Sequence, residues 1–214
     1  MLIKDALQVV GGLSKPSKMP CQGYSIPAEL CNVGSKLRNI EGSVCSKCYA
    51  MKGMYVFKNV KNALMTRYKK LSHALDNDPS EFRLAFKTLL KKHKYFRWHD
   101  SGDLINERHL QMIVDIANEN KHCKFWIPTR EFKLVTDYFK KHRKPKNLIV
   151  RLSATKINGK APRQTAKKYG LTVSEVHSKT TDSNECPAYK QDGFCGDCRN
   201  CWNPKVFNVS YPVH

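Results

Sequence analysis

The sequence predicts an α/β protein with parallel strands, arranged as a doubly wound sheet or as a full or partial barrel. Two observations carry this. Short apolar runs alternate strictly with amphipathic helical stretches, the pattern of strands joined by right-handed crossovers. Each run also leaves through a polar cluster: His99-Asp100-Ser101-Gly102-Asp103, Thr129-Arg130-Glu131 and Ser153-Ala154-Thr155. In either architecture, ligands bind outside the carboxyl ends of the strands, where such clusters gather. A third observation concerns chemistry: cysteines collect towards both ends of the chain.

Taken in order, residues 1–20 hold Gly11-Gly12 and two prolines and predict one strand or an arm. A cysteine loop occupies residues 31–50. Phe57, Val60, Leu64, Tyr68, Leu71 and Leu75 then recur at three- and four-residue steps with Lys and Arg between them, which predicts a basic amphipathic helix. Asp78-Pro79-Ser80-Glu81 is a helix start, and Phe82, Phe86, Leu89 and Leu90 form the stripe that follows. Residues 95–98 read as a strand, and Asn106 opens a helix with Leu110, Ile113, Val114 and Ala117 on one face. The unit repeats. Residues 125–128 read as a strand followed by a helix that buries Leu134, Val135, Tyr138 and Phe139, and residues 148–152 as a third strand. A short basic helix at 162–168 stops at Gly170, a further strand spans 171–176, and the tail docks as a last strand.

With 214 residues and 41% hydrophobic content, the chain fits one compact domain with a small appendage. No run of about eighteen apolar residues is present, so no membrane span is expected. The N-terminal stretch lacks a secretory pattern, which predicts a reducing cytosol. In that compartment nine cysteines suggest metal ligands rather than a disulfide framework. Thirty-eight Lys and Arg against eighteen Asp and Glu give a net charge of +20 and point to nucleic acid or a nucleotide as partner. The alternative is an uncommitted basic surface, since the lysines are spread over several helices.

Cys31, Cys45 and Cys48 have the spacing C-x13-C-x2-C. Three thiolates can hold a four-iron cluster while leaving one iron open for a small molecule. Other readings are a zinc loop with Cys21 or a histidine as fourth ligand, or three unconnected buried thiols. Cys186, Cys195, Cys198 and Cys201, spaced C-x8-C-x2-C-x2-C, predict a second metal centre. Its consecutive short gaps favour a four-iron cluster over zinc. Cys123 reads as a buried thiol and Cys21 as a ligand or a bystander. At the strand exits, His99, Asp100, Asp103, Arg130, Glu131 and Arg151 are candidates for acid–base work or phosphate binding. The structural alternatives are that Asp103 caps the next helix and that Arg151 pairs with Asp100.

The stretches GSKLRNIEGSVCSKCYAMKGMYVF, FRWHDSGDL, FWIPTRE, NLIVRLSA, CGDCRNCW and NVSYPVH resemble the phage and prophage family known as gene product 88. That resemblance implies a phage protein in the host cytoplasm and names no reaction. More distantly, CSKCYA followed by strands with Ser-x-Asp-Leu, Thr-Arg and Leu-Ser exits is similar to phage-associated radical-SAM-like proteins. This likeness implies a partial (β/α) barrel over residues 1–180 and a four-cysteine segment over 181–214. It implies that Cys31, Cys45 and Cys48 hold a [4Fe-4S] cluster binding S-adenosylmethionine, with Tyr49 beside it. Ser101-Gly102-Asp103 would meet the methionine amino group, and Arg130 and Ser153 the carboxylate and ribose. An external electron donor would be needed. The spacing departs from the C-x3-C-x2-C usual in that family. The function expected is an iron–sulfur enzyme acting on nucleic acid or a nucleotide, with the C-terminal cluster auxiliary. The alternative is a cysteine-rich nucleic-acid-binding or host-takeover protein without catalysis.

Overall fold

Alternation within the strands decides the architecture. The computed structural model describes residues 1–179 and 184–213. Within them β1 (Gly23–Tyr24), β2 (Tyr95–Trp98), β3 (Lys124–Thr129), β4 (Leu148–Ser153), β5 (Thr172–His177), β6 (Asn184–Glu185) and β7 (Asn208–Pro212) form one open sheet. The order is β1-β2-β3-β4-β5-β7-β6, and every neighbouring pair is parallel. The helices are α1 (Ile3–Val10), α2 (Asn32–Arg38), α3 (Lys58–Asp76), α4 (Ser80–Leu90), α5 (Glu107–Glu119), α6 (Phe132–Phe139) and α7 (Arg163–Lys168). None is long and apolar enough to cross a membrane.

From β1 to β5 the strands lie in chain order, so right-handed crossovers keep returning to the same face of the sheet. Burial follows that rule. Phe96, Trp98, Phe125, Ile127, Val150 and Leu152 join the apolar stripes of the helices in a single core. Their alternates turn to the opposite face, where the register sets Arg97 beside Trp126, Pro128 beside Arg151, and Ser153 beside Ser174. That second face is the one on which the functional residues stand.

Residues 1–20 correct the expectation of a strand or arm. They begin with α1, whose Ala6 and Val10 are wholly buried in the core. Gly11 ends it in the left-handed conformation at φ 74°, and the Gly12 N–H closes the turn onto Leu7 O at 2.8 Å. A helix of this length is marginal alone and exists through packing, so its local pattern is weak. The start at Asn106 is as expected: its side chain accepts from the His109 N–H at 2.9 Å.

The C-terminal residues complete the sheet. β7 inserts between β5 and β6, and Trp202 packs on Tyr95 and Trp126 while donating to Phe96 O at 2.9 Å. Arg151 does not pair with Asp100. Its fully buried guanidinium donates to the carbonyls of Val173, Asn200, Cys201, Asn203, Val206 and Phe207, pinning the cysteine-rich segment to the helix-free face of the sheet.

Candidate active site: a cleft at the strand exits

A cleft of about 650 Å³ opens where the strand exits meet that helix-free face. Its floor includes Arg97, Trp126, Pro128, Ser153, Ser174 and Tyr211. One wall is the loop carrying Cys31, Cys45 and Cys48, and the opposite wall includes Lys18, Tyr189 and Gly193.

The loop is held by the strand exits. Val44 N–H donates to Thr155 O at 2.9 Å and Ile157 N–H to Gly42 O at 3.0 Å, which sews the loop to the end of β4. Glu131 Oε1 accepts the Val33 N–H at 2.9 Å and so ties α2 to the end of β3. Cys31 immediately precedes α2, and Cys45 and Cys48 bracket one tight turn closed by Cys48 N–H on Cys45 O at 3.2 Å. Gly34 leaves the space between two of the sulfurs. A Cβ there would stand 3.5 Å from Cys31 Sγ and 3.8 Å from Cys45 Sγ. Burial pushes the Cys31 thiol up to about 12, with Asp103, Cys48 and Cys45 adding to the rise and Arg38 opposing it. Burial raises Cys45 as well, opposed chiefly by Arg130. A thiol must lose its proton before it can ligate a metal, and the two arginines favour that loss at Cys31 and Cys45.

The exit residues divide into those that hold the frame and those that face the cleft. Asp103 Oδ1 accepts from Thr129 Oγ1 at 2.6 Å and from Leu104 N–H at 2.8 Å, while Oδ2 accepts from Arg130 N–H at 2.9 Å. It therefore clamps the exits of β2 and β3 together rather than capping the next helix. Ser101 Oγ donates to Ile26 O at 3.0 Å, and Glu131 is spent on α2. Gly102, at φ 85°, presses on Ile26, where a Cβ would come within 2.4 Å of Cγ1 and 2.8 Å of the carbonyl oxygen. Left-handed strain and overpacking together predict a loss of about 2–4 kcal/mol for Gly102→Ala. Urea unfolding checks this; an unchanged midpoint would contradict the packing described.

Facing the cleft are Arg130, whose Nε donates to Ala154 O at 3.1 Å, Ser153, whose Oγ meets Ser174 Oγ at 2.9 Å, and the group around Asp100. Tyr55 donates to Asp100 Oδ2 at 2.6 Å, and Tyr49 donates to the Asp100 carbonyl while accepting from Arg97 Nη2 at 3.3 Å. Arg97 lies over the Trp126 ring at 4.6 Å. Asp100 Oδ1, Arg97 Nε, Arg38 Nε, Trp126 Nε1 and both ring nitrogens of His99 are buried without a hydrogen-bond partner among the described residues. His99 also sits at φ 57°, a strained conformation for a non-glycine residue. Orphaned polar atoms and a strained exit mark a functional site.

Sequence reasoning did not single out Gly34, Arg38, Tyr55, Arg97 or Trp126. The signal for Arg97 and Trp126 was the two-residue alternation, which sends them to the face opposite Phe96 and Phe125.

The second cysteine group belongs to the segment that supplies Tyr189, Gly193 and Tyr211 to the cleft, but none of its four cysteines lines the cleft itself. Cys186 N–H donates to Ser210 O at 2.8 Å, Cys198 N–H to Cys195 O at 3.0 Å, and Cys201 Sγ meets the Tyr211 hydroxyl at 3.2 Å. Cys195 N–H reaches Lys18 O at 3.1 Å, which brings the segment holding Cys21 against this group. Cys21, pushed up to about 12 by burial, has Arg97, Cys195, Arg199 and Cys201 as its charged neighbours. It thus lies with the C-terminal cysteines and not with Cys31, Cys45 and Cys48. Cys123 is a fully buried thiol beside Cys21. Among the described residues no three His, Cys, Asp or Glu side chains converge as the ligands of a single ion do.

Fold and site together define a class: a parallel α/β protein with one group of cysteines lining a cationic cleft and a second group in the C-terminal segment beside it. The chain belongs to the gene product 88 family, whose family model matches residues 3–204. No curated protein and no solved structure matches it.

Proposed function

We propose that the protein is an iron–sulfur enzyme of radical-SAM-like type, acting on nucleic acid or a nucleotide. The observation that carries this reading is the placement of Cys31, Cys45 and Cys48 along a cleft whose lining holds Lys18, Arg38, Lys47, Arg97 and Arg130 against only Asp100 and Asp103. Strands in chain order with helices returning to one face support a partial (β/α) barrel as the frame.

The residues present suit the group. Three thiols share a wall, Gly34 leaves room between the Cys31 and Cys45 sulfurs, and Arg38, Arg97, His99, Asp100 and Trp126, which carry unpartnered atoms, line the cleft. Cys31, Cys45 and Cys48 would hold a [4Fe-4S] cluster with one open iron, and Cys186, Cys195, Cys198 and Cys201 an auxiliary one. When bound, such a cluster supplies one electron to S-adenosylmethionine from an external donor. The chain's own residues orient and charge-match the cofactor. Arg130 takes its carboxylate, Ser153 its ribose, and the unpartnered Oδ1 of Asp100 its ammonium group. Asp100 replaces Ser101 and Asp103 in that role because their oxygens are already bonded within the frame. Tyr49 and Tyr55 hold Asp100 in place.

The test is anaerobic reconstitution with iron and sulfide, reduction with dithionite, and measurement of S-adenosylmethionine cleavage. The expected result is two clusters per chain and an electron-resonance signal that changes on cofactor addition. Cys31→Ser, Cys45→Ser or Cys48→Ser should each abolish that response and lower the iron count by the share of one cluster. Intact clusters with no cofactor binding or cleavage would overturn the enzyme reading. Zinc in their place, with only salt-sensitive oligonucleotide binding, would establish the cysteines as structural.

A further inference from the structure

One stretch of the surface is organised beyond what the cleft needs. Residues 42–75 contain Lys47, Lys52, Lys58, Lys61, Arg67, Lys69 and Lys70 and not one Asp or Glu. Arg67 is buried and donates to Ser25 O, whereas the lysines are exposed, and none of them pairs with a carboxylate among the described residues. Beside them the turn Gly53–Val56 is anchored inward by Tyr55 on Asp100. Its neighbours point out: Met54 is 69% exposed, Phe57 58% and Val56 47%. Lys58, Lys61 and Lys69 lie on one side of α3 at helical spacing, a stripe about 17 Å long. Lys47 and Tyr49 continue the surface into the cleft itself.

We infer that this lip is a docking track for single-stranded nucleic acid, leading one nucleotide into the cleft. The inference rests on the nucleic-acid reading above and adds where the strand lies. Lysines along a stripe can neutralise backbone phosphates, and their lack of acidic partners among the described residues leaves the charge available. Phe57 and Met54, held out on an anchored turn, offer faces on which unpaired bases stack. A duplex keeps its bases stacked on one another and has no use for such faces. An acid-free stripe also disfavours a protein partner, unless that partner is as acidic as a nucleic acid.

The experiment uses the reconstituted full chain and labelled oligo(dT) and oligo(rU), followed by fluorescence anisotropy across a salt series. Phe57→Ser is expected to weaken binding about tenfold. Lys52→Gln with Lys58→Gln should flatten the slope of log affinity against log salt by about 1.4. Lys141→Gln with Lys146→Gln removes the same charge just before β4, at the opposite end of the strands, and should change affinity less than twofold. Thermal melts of all variants check folding, which these exposed positions should not disturb. Equal losses from the two lysine pairs, or indifference to Phe57, would overturn the track. So would Phe57-dependent binding to phosphatidylserine vesicles with oligonucleotide binding unmoved. The dT and rU arms show which nucleic acid is taken. Lip-dependent binding without cofactor cleavage would sink the enzyme reading alone, and cleavage with lip-independent binding would sink this inference alone.

Discussion

On lowering the pH from 7 to 5, His99 and His109 are expected to remove about 4 kcal/mol of folding stability between them. The two rings meet edge to face at 5.1 Å and both are buried. Ile105 N–H donates to His109 Nδ1 at 3.3 Å, which places the ring proton on Nε2. Burial pushes His109 down to about 3, and burial, with His109 and Arg97 adding, holds His99 well below the usual 6.5. The sign follows. Between 6.5 and about 3 the unfolded chain binds a proton at His109 that the folded protein does not, and the lowered His99 contributes with the same sign. This stability is therefore complete above pH 6.5 and is lost as the pH falls through that window. Asp103 and Glu131, raised by burial, act in the opposite direction and soften the fall. His99→Asn isolates the effect, because asparagine tolerates the left-handed conformation at φ 57°. Urea unfolding at several pH values should show the variant losing about 2 kcal/mol less than the parent over the same interval. Parallel curves would refute the neutral buried ring.

Arg151→Met is expected to cost about 3–5 kcal/mol and to release the C-terminal cysteines. Methionine fills much of the same volume, so the loss is polar rather than a cavity. The guanidinium has no carboxylate partner among the described residues; its charge is held by carbonyls, from Asn200 O at 2.7 Å to Phe207 O at 3.4 Å. Removing it leaves buried acceptors unpaired and strips the charge that opposes burial at Cys201, whose thiol burial pushes up to about 11. Lysine should not rescue, since one ammonium cannot reproduce a planar fork of five donors. On the cluster assignment proposed above, the iron count of the reconstituted variant should drop by the C-terminal share while the signal from the Cys31 group persists. A wild-type unfolding midpoint, or an unchanged metal count, would contradict the pinning role.

Much of the frame was legible because the strands are short and aromatic and the helices carry regular stripes. β2, β3, β4, β5 and the docking of the tail follow from periodicity and from the polar residues that end each run. α1 was not legible, because its helix is made by contact with α3 and α4, which lie more than forty residues away in the chain. The site was legible in location and less so in role. Asp103, Ser101 and Glu131 look like reactive groups in a one-dimensional reading, yet Asp103 bonds both its oxygens, and Ser101 and Glu131 one oxygen each, to a neighbouring strand exit, loop or helix. A sequence shows that an exit is polar, but not whether its polar atoms face a ligand or a backbone amide. Asp100, two residues before Gly102, retains an unpartnered oxygen among the described residues, and only the fold separates it from Asp103. Cys21 is the same lesson in reverse. Ten residues separate it from Cys31, but the turn at Lys18 carries it to Cys195.

The position of β7 has a consequence for how the protein is made. It is the last strand among the described residues and yet lies inside the sheet, between β5 and β6. While the polypeptide emerges from the ribosome, the edge of β5 stays unpaired until residue 212 is free, and an open parallel edge is an invitation to aggregate. The final strand also brings Tyr211 to Cys201, so completing the sheet and assembling the second cysteine group are one late event. A chain cut before residue 208 loses an interior strand and with it Tyr211, Pro212 and Val213 of the cleft lining.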